Sequence, residues 1–162
     1  MRGAAPDLAA TRGAGVAEGL YLEDLAVGMS AEAVHVVTEA DIAAFADVSG
    51  DRNPLHLDEA YAARTPFRGR IAHGMLAGAY ISAILGNTLP GPGSIYVSQA
   101  LRFKRPIRIG DEVTVRASVS GIDERQAHVT IATVCLVKGK VAVEGEAVAF
   151  APRRARAERA AS

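Results

Sequence analysis

Residues 74–88 read Gly74-Met75-Leu76-Ala77-Gly78-Ala79-Tyr80-Ile81-Ser82-Ala83-Ile84-Leu85-Gly86-Asn87-Thr88, and Leu89-Pro90-Gly91-Pro92-Gly93 follows. Met75, Leu76, Ala79, Tyr80, Ala83, Ile84 and Leu85 leave little polar surface on a 3.6-residue period. The stretch therefore predicts a helix that is buried nearly all round, with Met75 in the core. The Pro/Gly run stops it. Beyond it the period changes to two, which predicts four strands over 94–104, 112–121, 126–137 and 140–150. Lys138-Gly139 is a two-residue hairpin candidate. One buried helix followed by consecutive antiparallel strands implies an α+β domain whose sheet wraps around that helix. The open edges and rim of such a sheet predict a homodimer.

Upstream, residues 31–37 alternate as a strand. Thr38 then caps a helix, with Asp41 in the acidic place of a capping box, and Ile42, Phe45, Ala46 and Val48 form the apolar side. Ser49 and Gly50 end this helix. The heptapeptide Gly50-Asp51-Arg52-Asn53-Pro54-Leu55-His56 follows as a loop, and a short helix is expected from Asp58 to about Arg64.

The heptapeptide carries the chemistry. Asp51 is an acid and His56 a base, and their spacing is not that of a helix face. Pro54 fixes its own φ and pushes Asn53 out of the helical region, so the loop can curl and bring the two together. A carboxylate and an imidazole on one rigid bend are suited to activating water. Asn53 is expected to support the loop by hydrogen-bonding the backbone. Gly74 opens the buried helix, where a free backbone N–H and the helix dipole favour negative charge and the missing side chain allows close approach. His73 reads as a core histidine bonding backbone, and His35 and His128 as structural or surface groups. A metal site from Asp51, His56 and His73 lacks any Cys or second acidic residue at ligand spacing and is not expected.

Composition sets the limits. The 162 residues suit one domain, and 49% apolar content suits a globular one. Trp is absent and aromatics make up 5%, so Ala and Val must fill much of the core. Eighteen basic residues balance eighteen acidic ones, which argues against a nucleic-acid footprint. No run of 18 apolar residues predicts a membrane span, and residues near the N-terminus lack signal-peptide character. The single Cys135 cannot pair internally, and a reducing cytoplasm is the expected compartment. Residues 1–18 read as a mobile, disordered tail, 19–151 as the domain, and 152–162 as a basic tail with Arg153, Arg154, Arg156 and Arg159.

Residues 41–58, the run Ile71-Ala72-His73-Gly74-Met75-Leu76, and Phe103-Lys104-Arg105-Pro106 through Gly110-Asp111 resemble the MaoC-like dehydratase family, and within it the (R)-specific enoyl-CoA hydratases. The resemblance covers about residues 25–150. It implies a hot-dog fold, a homodimer, and reversible hydration of trans-2-enoyl-CoA to (R)-3-hydroxyacyl-CoA with no metal or redox cofactor. It implies that Asp51 and His56 activate water and that the Gly74 amide meets the thioester oxygen. It also implies that Ser82 and Leu85, further along the same helix, line the acyl pocket. Arg68, Arg70, Arg102, Lys104 and Arg105 are candidates for the CoA phosphates. A carrier-protein dehydratase, a hot-dog thioesterase and a non-catalytic acyl-binding subunit are the alternatives.

Overall fold

The computed structural model describes residues 18–154. The expected tails fall almost wholly outside these residues. A five-stranded antiparallel sheet in the order β1-β3-β4-β5-β2 is built from β1 (Ser30–Val36), β2 (Ile95–Phe103), β3 (Glu112–Asp123), β4 (His128–Val137) and β5 (Lys140–Phe150). Among the described residues a 3-10 turn (Leu22–Asp24) and four α-helices precede β2: α1 (Glu39–Ser49), α2 (Pro54–Leu57), α3 (Glu59–Ala62) and the long α4 (Gly74–Asn87). The sheet curls over α4, the hot-dog arrangement expected for the chain. No helix of the described residues is long and apolar enough to cross a membrane.

Strand alternation builds the core. Val113, Val115, Ala117 and Val119 of β3, Val129, Ile131 and Cys135 of β4, and Val143, Ala147 and Ala149 of β5 turn toward the helix and are buried. Leu76, Ala77, Ile81, Ile84 and Leu85 of α4 pack against them in one cluster. Burial pushes the Cys135 thiol up to about 11, so it serves as a small apolar filler and not as a nucleophile. The β4–β5 turn is Lys138-Gly139 with φ values of 50° and 71°, the left-handed pair that a two-residue hairpin with native twist requires.

The Thr38 capping box forms as read. The Asp41 N–H donates to the Thr38 hydroxyl, and the Thr38 N–H donates to the Asp41 carboxylate at 2.7 Å. Three expectations are corrected. Met75 is 55% exposed, and Gly74, Ala79, Ser82 and Gly86 of α4 are exposed with it, because one sheet layer covers only one side of the helix within a single chain. Val48 is 83% exposed, since two positions on from the buried Ala46 is the opposite side of a helix. The stretch read as a loop to His56 contains the helical turn α2, started by Pro54 at its first position.

Two side chains of the edge strand β2 reach glycines in the first turns of α4. Phe103 pairs with Val143, whose row runs on through Cys135 and Val115, so its ring is on the helix side of the sheet. A Cβ on Gly74 would lie 2.9 Å from Phe103 Cε1, and one on Gly78 would lie 3.4 Å from Leu101 Cδ1. Four residues of helix rise about 6 Å and two residues of strand about 6.8 Å, so the two glycines accept the two side chains in step.

Candidate functional site

The site begins where α1 ends. Gly50 takes φ 76°, donates its N–H to the Ala46 carbonyl and turns the chain out of the helix. A relay of short-range bonds then sets each residue of the bend. The Asp51 N–H donates to the Ser49 hydroxyl, the Asn53 N–H donates to Asp51 Oδ1 at 3.1 Å, and the Leu55 N–H donates to Asn53 Oδ1 at 3.0 Å. Asn53 thus caps α2 in the supporting role expected for it. With Oδ1 occupied, Oδ2 of Asp51 is left to face His56.

His56 is oriented from two sides. Its Nδ1 lies 2.8 Å from the Ile71 carbonyl, which can only accept, so Nδ1 carries the hydrogen and Nε2 keeps its lone pair. Arg70 Nε donates to the His56 carbonyl at 2.7 Å while Arg70 Nη2 pairs with Glu39 at 2.5 Å. The result places His56 Nε2 4.0 Å from Asp51 Oδ2. This is too long for a direct hydrogen bond, and both atoms are acceptors when the acid is ionised. One water donating a hydrogen of ordinary length to each would span about 4.4 Å, so the gap suits a single shared water. The imidazole is buried and the carboxylate side chain is 50% exposed.

Gly74 is the first residue of α4, a position whose N–H has no acceptor within its own helix. It lines a pocket of about 250 Å³ together with His56, His73, Phe67, Phe103 and Ile107. The imidazole and the helix-start amide therefore open on one apolar cleft. Asp51 stands beside it without being part of its wall.

The remaining expected residues separate. Ser82 is exposed on the free face of α4, Leu85 is buried in the core, and neither lines this pocket in the single chain. Of the five basic candidates, Lys104 and Arg105 line it. Lys104 pairs with Glu144 at 2.9 Å, and Arg105 Nη1 donates to the Val141 carbonyl. Arg68 and Arg102 lie away from the pocket wall, and Arg70 is committed to His56 and Glu39. His73 bonds backbone, as expected for a core histidine, through Nε2 to the Asp51 carbonyl at 2.9 Å. Ligand atoms of Asp51, His56 and His73 lie within 4.8 Å of one another, near enough to hold a metal ion, although the sequence spacing shows no ligand pattern. One nitrogen of each histidine is already spent on a backbone carbonyl. Sequence reasoning missed Ile71 and Phe103 as site residues, and it gave Arg70 to the CoA phosphates where the structure gives it to the His56 carbonyl and Glu39. The first acts through a carbonyl, which no residue type signals, and the other two through partners 14 or more residues away.

Comparison with known proteins places the chain in a family. Over 134 residues the chain is 51% identical to an (R)-specific enoyl-CoA hydratase of Rhodospirillum rubrum, covering 83% of this chain and 93% of the relative. It is 44% identical to a 3-hydroxybutyryl-CoA dehydratase of Methylorubrum extorquens, over 86% of this chain and 88% of that one. Among solved structures, the unliganded R-hydratase of Pseudomonas aeruginosa superposes with a TM-score of 0.80 at 45% identity, covering 89% of this chain and 96% of that one. The family described as MaoC-like domain matches residues 26–140, and the chain belongs to that family.

Proposed function

We propose that this protein is a hydro-lyase, an (R)-specific enoyl-CoA hydratase that adds water reversibly to trans-2-enoyl-CoA. The observation that carries the reading is the 4.0 Å gap between Asp51 Oδ2 and His56 Nε2, beside a pocket that also holds the Gly74 amide. In the forward direction the water shared by the pair loses a proton to Asp51 as its oxygen bonds to C3. His56 holds that water through Nε2 and takes part in the proton transfer. Charge displaced onto the thioester oxygen is met by the Gly74 N–H, the kind of preorganised donor worth about 3–4 kcal/mol in other oxyanion holes. The charge collapses as C2 takes a proton from the pair, so the net change is one water added and no redox cofactor is called for.

The substrate is an acyl-CoA, and the working unit a homodimer in the cytoplasm. The exposed apolar face of α4, with Met75 and Ala79, and the edge strand β2, with Ile95 62% and Val97 49% exposed, are the surfaces a second copy would cover. Such a copy would also bring new walls to the side of α4 that carries Ser82, where the acyl chain is expected. A carrier-protein thioester presents the same reacting atoms, so rates on the two carriers decide between them.

Incubation with crotonyl-CoA tests the reaction. Loss of enoyl absorbance without release of free thiol is expected, and thiol release would instead mean a thioesterase. No reaction with enoyl thioesters of any length from C4 to C12 would remove the assignment.

A further inference from the structure

His73 lies outside the proposed chemistry, yet it touches both groups that perform it. Its Nε2 is 2.9 Å from the Asp51 carbonyl, and its ring lies tilted against His56 with centroids 3.9 Å apart and planes at 32°. Phe45 of α1 packs on it as well, at 4.9 Å between centroids. The residue is 2% exposed, and it immediately precedes α4, whose first residue is Gly74. One side chain thus ties the acid's backbone, the base's ring and the start of the oxyanion helix together.

The surroundings also select one form of the ring. A carbonyl only accepts, so Nε2 carries the hydrogen. Nδ1 is buried without a partner among the described residues, and a hydrogen there would be a buried donor with none of them to meet it.

We infer that His73, as the Nε2–H tautomer, is a positioning residue that sets the separation of Asp51 and His56. The inference rests on the hydratase reading only for its kinetic readout. Without the Nε2–H the Asp51 peptide is free to turn, and the carboxylate leaves its place opposite His56. Misplacement by about 1 Å can cost about 100-fold in rate. Substrate affinity changes little where a ring of similar size is kept, because His73 itself forms part of the pocket wall.

Two experiments on the whole chain test this. In the first, His73→Gln, which carries an amide N–H near the position of Nε2, is compared with His73→Phe, which keeps an aromatic ring but no donor. With crotonyl-CoA, His73→Gln is expected to hold kcat within about 10-fold of the wild type, while His73→Phe loses about 100-fold at little changed KM. A His73→Phe variant as active as the wild type would overturn the inference, as would a His73→Gln variant no better than His73→Phe. The second uses the unmodified protein and needs no activity. Long-range proton–nitrogen correlation spectra of the imidazoles are expected to show His73 protonated at Nε2 alone, and an Nδ1–H tautomer would overturn the assignment even if the variants fail to fold. Should the wild type prove inactive on enoyl-CoA, the spectra still decide the tautomer, so the two readings fail separately.

Discussion

Asp51 and His56, the pair proposed to activate water, are held by unequal means, and that inequality shapes what each substitution should do. Among the described residues the Asp51 side chain is hydrogen-bonded through Oδ1, an oxygen that Asn keeps, so Asp51→Asn leaves the bend intact and removes only the proposed base. His56 is held through Nδ1 at the Ile71 carbonyl. For either Asp51→Asn or His56→Ala, kcat on crotonyl-CoA is expected to fall by about 10²–10⁴, the usual size of an acid–base contribution, with the far-UV spectrum unchanged. Near-full activity in either would remove both from the mechanism. Gly74→Ala combines two effects. The new methyl would come within 2.9 Å of the Phe103 ring, which is 53% exposed and free to swing away. The displaced ring and the added methyl both intrude at the amide expected to meet the growing negative charge. Steady-state kinetics should therefore show kcat falling more steeply than KM rises. A rise in KM alone would deny Gly74 the oxyanion role.

At the level of elements, α1 and β2 aim the chemistry from opposite sides. The Thr38 cap fixes the start of α1, whose far end delivers Asp51. The Thr38 hydroxyl, and then its backbone N–H, hold the Asp41 carboxyl below its ordinary value of 3.8. A carboxyl whose pKa is lower in the folded state stabilises the fold above its unfolded pKa, and that contribution is lost as pH falls through the folded value. Asp41→Asn should therefore lower the melting temperature at pH 7, with the gap to wild type closing below about pH 4. A gap that stays constant with pH would mean that the charge plays no part. In β2, Leu101 is paired with Gly145 of β5, where a Cβ would meet the Ala100 carbonyl at 1.9 Å. Backbone cannot yield as a side-chain tip can. Gly145→Ala should cost about 1–3 kcal/mol in denaturant unfolding, the range for overpacking, and should also lower activity because β2 carries Phe103. Unchanged stability would show that the strand has room the packing does not suggest.

For the whole molecule, the decisive feature is a helix built to be covered and only half covered. Met75 and its exposed neighbours on α4, with the free edge of β2, form apolar surface that a monomer has little reason to keep. Light scattering should give twice the 16.8 kDa of one chain. A monomer at micromolar concentration that is fully active would refute both the dimer and the expectation that a second copy completes the acyl site.

Local pattern was legible in the sequence. The Thr38–Asp41 box, the start of α4 at Gly74, the Lys138-Gly139 hairpin and the two-residue alternation of β3, β4 and β5 all depend on neighbours a few positions apart, and side-chain type reports those directly. The Asp51–His56 bend belongs with them, because its relay of hydrogen bonds never reaches beyond three residues. What only the tertiary structure decided involves partners distant along the chain: Ile71 orienting His56, Arg70 locked to Glu39, Phe103 lying over Gly74 and His73 joining acid to base. The exposure of Met75 and Val48 belongs here too. Hydropathy says that a face prefers to be buried, but only the arrangement of layers determines whether one chain supplies the cover.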